Sequence, residues 1–85
     1  MIRYIVVNEE EKHNYNKGLV WIREHQKINC DTKAEAIKEA SYRRSMETGT
    51  DVRIMKSTHG EVSLIAHWRY VSSLDGTKSF WRRFV

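Results

Sequence analysis

The sequence predicts an α+β fold in which a mainly antiparallel sheet, in the order β-β-α-β-β(-β), carries one helix on one face. A capping-box pattern, Thr32 followed by Glu35, begins an alanine-rich stretch typical of a helix. Runs of β-branched and aromatic residues flank that stretch on both sides, and glycine turn signals separate the later runs. A chain of 85 residues predicts a single domain, 1–85.

The first two predicted strands precede the helix. Residues 2–7 and 19–25 are rich in β-branched and aromatic side chains, and the polar segment 8–17 between them is expected to be a loop that ends at Gly18. The three consecutive glutamates of this segment are too crowded for an interior. We therefore expect a short antiparallel pair of strands joined by a long polar loop.

The predicted helix runs from Thr32 towards Gly49, which would supply a left-handed stop. At 100° per residue, one face of this helix carries three apolar side chains that would pack on the sheet: Ala36, Ile37 and Ala40. The same stripe does not continue into the last turns. These turns are expected to overhang the edge of the sheet and to leave three side chains at least partly exposed: Tyr42, Arg43 and Arg44.

Residues 51–69 predict a β-hairpin whose register follows from its apolar pattern. A two-residue turn at 59–60 would put the apolar residues before and after the turn on opposite faces. A three-residue turn at 58–60 pairs Ile54 with Leu64 and places five apolar side chains on one face. These are Val52, Ile54, Val62, Leu64 and Ala66. We therefore expect the three-residue turn.

The C-terminal segment predicts a second hairpin with a turn at 74–76, L-D-G. Residues 79–85 alternate enough for a fifth strand, although a free tail stays open as an alternative. A two-residue turn would set Arg69 opposite Arg82, an unfavourable pair of like charges. A three-residue turn sets Arg69 beside Trp81 instead, and we expect this second register.

The net charge of +4 is concentrated in the second half of the chain. Residues 1–42 hold seven Lys/Arg and seven Asp/Glu, whereas residues 43–85 hold eight and four. This asymmetry suits an acidic partner such as nucleic acid, and equally suits a surface that only keeps the protein dissolved. Cys30 is the sole cysteine, which excludes an intramolecular disulfide. The sequence shows neither a signal-peptide pattern nor an apolar run of ~20 residues, so a cytoplasmic protein is expected.

One surface is a candidate binding site. If the helix covers one face of the sheet, alternate residues of the strands must lie on the opposite face. On this basis the predicted partner-binding residues are Arg53, Met55, Ile65, His67, Arg69, Trp81 and Arg83, with Trp21 and Arg23 added from the second strand.

This set predicts a non-catalytic protein that binds a macromolecule. The leading interpretation is a protein partner or self-association, because interfaces are enriched in Trp, Met and Arg. The alternative is single-stranded DNA or RNA, whose phosphates would contact guanidinium groups while its bases stack on indoles. A third reading is that Arg beside Trp is only a cation–π pair within the fold. The aromatic pattern of RNA-recognition motifs, helix-turn-helix spacing and zinc-finger spacing are all missing.

Catalytic and cofactor-binding patterns are also missing from the sequence. The four histidines are scattered, and Cys30 has no second Cys or His at zinc-ligand spacing beyond His25. Each of the four glycines is accounted for by a turn or cap, so no phosphate-binding glycine loop is present. We expect no enzymatic activity, no metal, no cofactor, no small-molecule substrate and no membrane association.

Part of the chain resembles a small family of bacterial and phage proteins that contain a domain of unknown function. The resemblance rests on the strand W-I-R at 21–23, the helix start T-x-x-E-A-I at 32–37, and the hairpin residues V-x-I at 52–54 and H-G-E-V at 59–62. It covers about half of the chain. It implies the same element order and no activity, and its association with phage proteins that bind host machinery favours a protein partner.

Overall fold

The computed structural model describes residues 1–14, 20–46 and 49–85, and of residues 11–14 and 20–24 it describes the backbone alone. The elements are β1 (Ile2–Asn14), β2 (Val20–Cys30), α1 (Lys33–Arg44), β3 (Gly49–Thr58), β4 (Glu61–Ser72) and β5 (Ser79–Arg83). The described strands form one sheet in the order β2-β1-β3-β4-β5, and each neighbouring pair is antiparallel. The predicted α+β class, element order and fifth strand are confirmed.

β1 continues well beyond its predicted end, so the prediction of a polar loop from residue 8 was wrong. It pairs with β2 from Tyr4 to Asn14 and with β3 from Ile2 to Glu10. Two hydrogen-bonded neighbours stabilise an extended backbone more than the polar side chains disfavour it. Asn8 and Glu10 are each only 1% exposed, and Asn8 Nδ2 donates to Glu10 Oε1 at 3.3 Å. Gly18, the predicted end of the loop, lies outside the described residues.

The helix begins as its sequence predicts. Thr32 is the N-cap with extended backbone angles (φ −125°, ψ 155°), and its hydroxyl oxygen accepts a hydrogen bond from the Glu35 amide at 3.2 Å. The Glu35 carboxylate accepts in turn from the amide of Asp31, also at 3.2 Å. The first bond satisfies an amide that the first helical turn leaves open, and the second ties the residue before the N-cap to the helix, so together they set the start of α1.

The helix ends earlier than predicted, and not at Gly49. Ser45 is the C-cap in right-handed conformation (φ −80°), and its hydroxyl donates to the Tyr42 carbonyl at 2.6 Å. Gly49 is the first residue of β3. A Cβ there would lie 3.2 Å from both the Arg43 carbonyl oxygen and Trp81 Cζ2, so the absent side chain permits a close approach of α1 and β5 to β3.

The core lies between α1 and one face of the sheet. Ala36 and Ala40 are fully buried, whereas Ile37, predicted on the same stripe, is 50% exposed at the margin. The sheet contributes four buried residues together with Cys30: Val6, Val52, Ile54 and Ala66. Small helical residues let the helix lie close to the strands. We call this side of the sheet the helix face and the opposite side the open face.

The β3–β4 hairpin has a two-residue turn, which contradicts the predicted three-residue turn. His59 and Gly60 both have positive φ, 48° and 87°, as a type I′ turn requires. The pairing then shifts by one residue, because Met55 is opposite Leu64 whereas Ile54 is opposite Ala66. This bulge leaves Ile65 as the extra residue and brings Ala66 into phase with the buried side chains of β3.

The β4–β5 hairpin also differs from its prediction. Arg69 is opposite Arg82, in the register that the sequence argument rejected because of its like charges. The loop at residues 73–78 determines this register: the Ser73 amide donates to the Lys78 carbonyl at 2.7 Å, and the Gly76 amide donates to the Ser73 carbonyl at 2.9 Å. A closed loop of this kind sets the strand register more strongly than one exposed charge pair opposes it.

Candidate functional site

Four of the nine predicted partner-binding residues lie on the open face. Arg53 and Met55 alternate with the buried residues of β3, and His67 and Arg69 alternate with those of β4 beyond the bulge. Arg53 is directly opposite His67, and a cross-strand pair of this kind shares one face of a sheet. The structure therefore brings these four side chains together on adjacent strands.

A single carboxylate organises the charged part of this face. Asp51 Oδ2 lies 2.9 Å from His67 Nε2 and 3.6 Å from Arg69 Nε, while its Oδ1 accepts from Arg53 Nε at 3.1 Å. The side chains of Asp51 and His67 are each 14% exposed, whereas those of Arg53 and Arg69 are 50% and 61% exposed. We call these four residues the Asp51 cluster. Its carboxylate is shared among three donors, and its two guanidinium groups face solvent.

A second carboxylate and histidine extend the charged surface towards β2. Glu9 is opposite His25, and its Oε2 lies 3.7 Å from His25 Nε2. These two residues line a shallow cavity of about 70 Å³ with Val7 and with Asp51 and Arg53 of the cluster. The polar part of the open face therefore crosses β2, β1, β3 and β4.

Apolar side chains occupy the neighbouring part of the open face. Ile5 is opposite Met55, and Met55 is opposite Leu64, so the three form a row across β1, β3 and β4. Val62 lies on the same face, two cross-strand pairs nearer the turn, opposite Ser57. Leu64 is 38% exposed and Val62 is 56% exposed. We call Ile5, Met55, Val62 and Leu64 the apolar strip.

The apolar strip contradicts the predicted core. Val62 and Leu64 were expected beneath the helix, but the bulge at Ile65 reverses their parity and sets them towards the open face. The alternation of apolar and polar residues predicts that Val62 and Leu64 belong to a strand, but it does not predict the bulge. The sequence did contain a warning: a two-residue turn at His59-Gly60 places Val62 and Leu64 on the face opposite to Val52 and Ile54.

Arginine and aromatic side chains complete the open face on β5. Arg82 is opposite Arg69, which places three arginines on this face with Arg53. The Arg82 guanidinium carbon lies 5.3 Å from the centre of the Phe84 ring, and that ring lies 5.8 Å from the His67 ring. Sequence reasoning missed Arg82 and Phe84, because it placed the β5 register one residue away.

Three predicted residues lie on the helix face instead, which corrects their assignment. Ile65, the bulge residue, packs against the buried core. Trp81 is opposite Tyr70, with ring centres 5.4 Å apart, and Arg83 is opposite Trp68, with its guanidinium carbon 5.1 Å from that indole. The one-residue difference in the β4–β5 register reverses the faces of both β5 residues.

The two remaining predicted residues belong to β2. Trp21 is opposite His13 and Arg23 is opposite Glu11 in the β1–β2 ladder. Their side chains lie outside the described residues, so their predicted part in the site stays a prediction.

Comparison with known proteins places the chain in no family. No family model, no curated protein and no solved structure matches it. The resemblance to a bacterial and phage family therefore stays a prediction, and the function must be argued from the surface itself.

Cys30 is a poor nucleophile in this structure. Its side chain is 7% exposed, and burial raises the pKa of the thiol, with further contributions from the nearby carboxylates of Glu39, Glu35 and Asp31. A raised pKa keeps the sulfur protonated, and the protonated thiol is the unreactive form. A depression of about 500 Å³ lies beside it, lined by Cys30, Glu35, Lys38, Glu39 and Tyr42.

Two further findings concern metal binding and membrane-spanning helices. Within the described ranges, no three His, Cys, Asp or Glu residues are arranged to hold a metal ion. The helices of the described part include none that is long and apolar enough to cross a membrane.

Proposed function

We propose that the protein is a binding protein whose open face docks on a partner protein that presents apolar side chains bordered by carboxylates. The observation that carries this proposal is the position of three arginines beside the apolar strip: Arg53, Arg69 and Arg82. Arginine and methionine next to exposed aliphatic residues are typical of the centre of protein interfaces.

The apolar strip supports a large dry contact. No helix covers the open face in the described part of the chain, since α1 packs on the other side of the same strands. The molecule measures 44 × 33 × 19 Å, so its broad side can supply the roughly 800 Å² per partner that a stable interface needs. Docking would remove Leu64 and Val62 from water, which is worth about 25 cal/mol for each Å² of apolar surface buried.

The charges favour an acidic protein over a second copy of the same chain. Arg69 and Arg82 are opposite each other, and like charges in that position repel. The carboxylate of Asp51 is already shared among three donors. Carboxylates from a partner would relieve this repulsion, whereas a second open face would bring further arginines.

The charges also disfavour nucleic acid on this face. Of the two indoles that were expected to stack on bases, that of Trp81 lies on the helix side with Arg83, and the side chain of Trp21 lies outside the described residues. Asp51 lies in the middle of the arginines and would repel a phosphate backbone. The aromatic side chains described on the open face are Phe80 and Phe84, at its β5 edge.

The test is to capture binding partners from cell extract and to map, by photo-crosslinking, which face of the protein contacts them. A photo-crosslinking residue, p-benzoylphenylalanine, replaces Leu64 on the open face in one sample and Tyr42 in the other. Tyr42 is 59% exposed on the helix and serves as the matched control. Arg69→Glu with Arg82→Glu reverses the open-face charge, and Lys78→Glu makes a charge change in the β4–β5 loop.

The proposal expects one acidic protein that survives nuclease treatment and crosslinks from position 64 but not from position 42. The Arg69→Glu/Arg82→Glu protein should lose this partner, and Lys78→Glu should keep it. Loss of all captured material after nuclease would assign the face to nucleic acid. Crosslinks that join only two copies of the chain, together with a dimer in sedimentation, would assign it to self-association. Either result would refute an acidic protein partner.

A further inference from the structure

A second group of cations lies on the helix face, away from the proposed docking surface. Trp68 of β4 is contacted by two guanidinium groups: the Arg44 guanidinium carbon lies 3.9 Å from the ring centre and that of Arg83 lies 5.1 Å from it. Arg44 is the last residue of α1, and Arg83 is the last residue of β5. The indole therefore brings together cations from two separate elements.

No described Asp or Glu side chain forms an ion pair with either guanidinium group. Arg43 and Arg53 both form ion pairs, with Glu39 at 2.8 Å and Asp51 at 3.1 Å, but none of the described ion pairs includes Arg44 or Arg83. The Nη1 atom of Arg44 is buried and has no hydrogen-bond partner in the described part of the chain. A buried guanidinium donor without an acceptor carries a desolvation cost that an anion would remove.

The electrostatics of Arg44 agree with this geometry. Burial lowers the pKa of Arg44, and the charge of Arg83 lowers it further. Two cations that repel each other in a partly buried setting form a favourable site for a doubly charged anion.

A cavity of about 120 Å³ lies beside Trp68 and Arg83. Its apolar wall includes Ile37, Ile54, Ile65 and the ring of Trp68, over which the Arg44 guanidinium group lies. Lys33, at the start of α1, and Arg83 supply its charged side chains, and no carboxylate lines it. A cavity of ~150 Å³ accommodates a benzene ring, so this one is large enough for a small alkyl group or most of a single ring.

We propose that Arg44 and Arg83 bind the phosphate group of a small organic phosphate whose apolar part enters this cavity. Guanidinium groups match the geometry of phosphate oxygens and donate charge-assisted hydrogen bonds to them. The Nε of Arg83 already donates to the Val85 main-chain oxygen at 2.7 Å. No described hydrogen bond uses its terminal amino groups, which are the donors that would reach a phosphate.

The test uses defined probes and the fluorescence of tryptophan. Inorganic phosphate, phenyl phosphate and benzenesulfonate are titrated at constant ionic strength, and the Trp68→Phe protein identifies which indole reports binding. Arg83→Gln is compared with Arg82→Gln, because these neighbours on β5 lie on opposite faces of the sheet. Arg44→Gln is compared with Arg44→Lys, and circular dichroism with a thermal melt checks that each variant is folded.

Phenyl phosphate should bind at least about fivefold more tightly than inorganic phosphate, and benzenesulfonate should bind more weakly than phenyl phosphate. Arg83→Gln and Arg44→Gln should each raise the Kd for phenyl phosphate by about tenfold or more, as expected for one charge-assisted contact. Arg82→Gln should change it less than about twofold, because its charge faces the other side. Phenyl phosphate should also raise the melting temperature of the unmodified protein and not that of Arg83→Gln.

Equal effects of Arg82→Gln and Arg83→Gln on the Kd for phenyl phosphate would show that only the net charge of the protein matters, and would overturn the proposal. So would the absence of any phosphate-dependent change in both fluorescence and melting temperature. Tighter binding of a 5′-phosphorylated oligonucleotide than of phenyl phosphate would assign the cations to nucleic acid instead. Capture of the open-face partner is measured separately, and Arg83→Gln should leave it unchanged, so that failure of one proposal is distinguishable from failure of the other.

Discussion

Replacing Ile54 and Leu64 one at a time by alanine tests the hairpin register on which both proposed surfaces depend. Ile54 is 1% exposed beneath α1, whereas Leu64 is 38% exposed on the open face. Truncation of a fully buried isoleucine costs roughly 2–5 kcal/mol, because a cavity remains where the side chain was. Truncation of Leu64 leaves no enclosed cavity, so we expect a cost of about 1 kcal/mol or less.

The two variants are compared by urea unfolding and by thermal melting. For a chain of this length, each kcal/mol corresponds to about 4–8 °C in Tm, so Ile54→Ala should lower Tm by roughly 10 °C or more. Ile54→Val, which costs about 0.5–1.5 kcal/mol, gives a measurable value if the alanine variant does not fold. A three-residue turn without the bulge would make Leu64 as buried as Ile54. Equal losses at the two positions would therefore refute the register and the apolar strip with it.

Three further predictions concern the turns and the titratable groups. His59→Asn should stabilise the two-residue turn by a few tenths of a kcal/mol, and Gly60→Ala should destabilise it by about 1–2 kcal/mol, since both positions have positive φ; urea unfolding measures both. Hydrogen bonds from the Ser73 hydroxyl and from Thr77 lower the pKa of Asp75 from 3.8 to about 2. Its stabilising effect is therefore present above pH 3.8 and is lost as the pH falls towards 2, a dependence that Asp75→Asn should abolish in acid titration followed by circular dichroism. Cys30 should react slowly with a thiol reagent in the native state. Because burial raises its pKa above 9.0, stability should fall as the pH rises past 9.0, where the unfolded chain releases the thiol proton first, and Cys30→Ala should remove this loss.

The sequence predicted the structure correctly where neighbouring residues along the chain determine it. The hydroxyl of Thr32 accepts from the amide of Glu35 as the capping pattern predicts, and the alanines at 36 and 40 are buried as their spacing predicts. The order of the strands along the chain was also predicted correctly, although β1 and β2 extend to Asn14 and Cys30, beyond their predicted ends at residues 7 and 25. Each of these features depends on residues within about one helical turn or one strand of each other.

Features that depend on pairing between strands were predicted less well. The segment at 8–14 is polar, yet it is part of β1 because β2 pairs with all of it and β3 pairs with its first residues, up to Glu10. The helix ends at Arg44, and Gly49 lies in β3, where its missing side chain leaves room for Trp81. The amino-acid composition of a segment does not show which strands will pair with it or which side chains will pack against it.

The candidate site shows the same division. Arg53, Met55, His67 and Arg69 were placed correctly, because each follows from alternation within one strand next to a buried residue. Ile65, Trp81 and Arg83 were assigned to the wrong face. Asp51, Arg82 and the three other residues of the apolar strip, Ile5, Val62 and Leu64, were missed.

By itself, the sequence determined the class of the fold, the start of the helix and the residues that belong to the three strands after it. Only the tertiary structure decided which face most of those residues occupy. The physical reason is that side chains alternate along a strand with a period of two. One extra residue at Ile65 therefore reverses the face of the residues between it and the turn, and a one-residue difference in register reverses the face of the β5 residues. That reversal separates the arginines into two groups, one beside the apolar strip and one around Trp68.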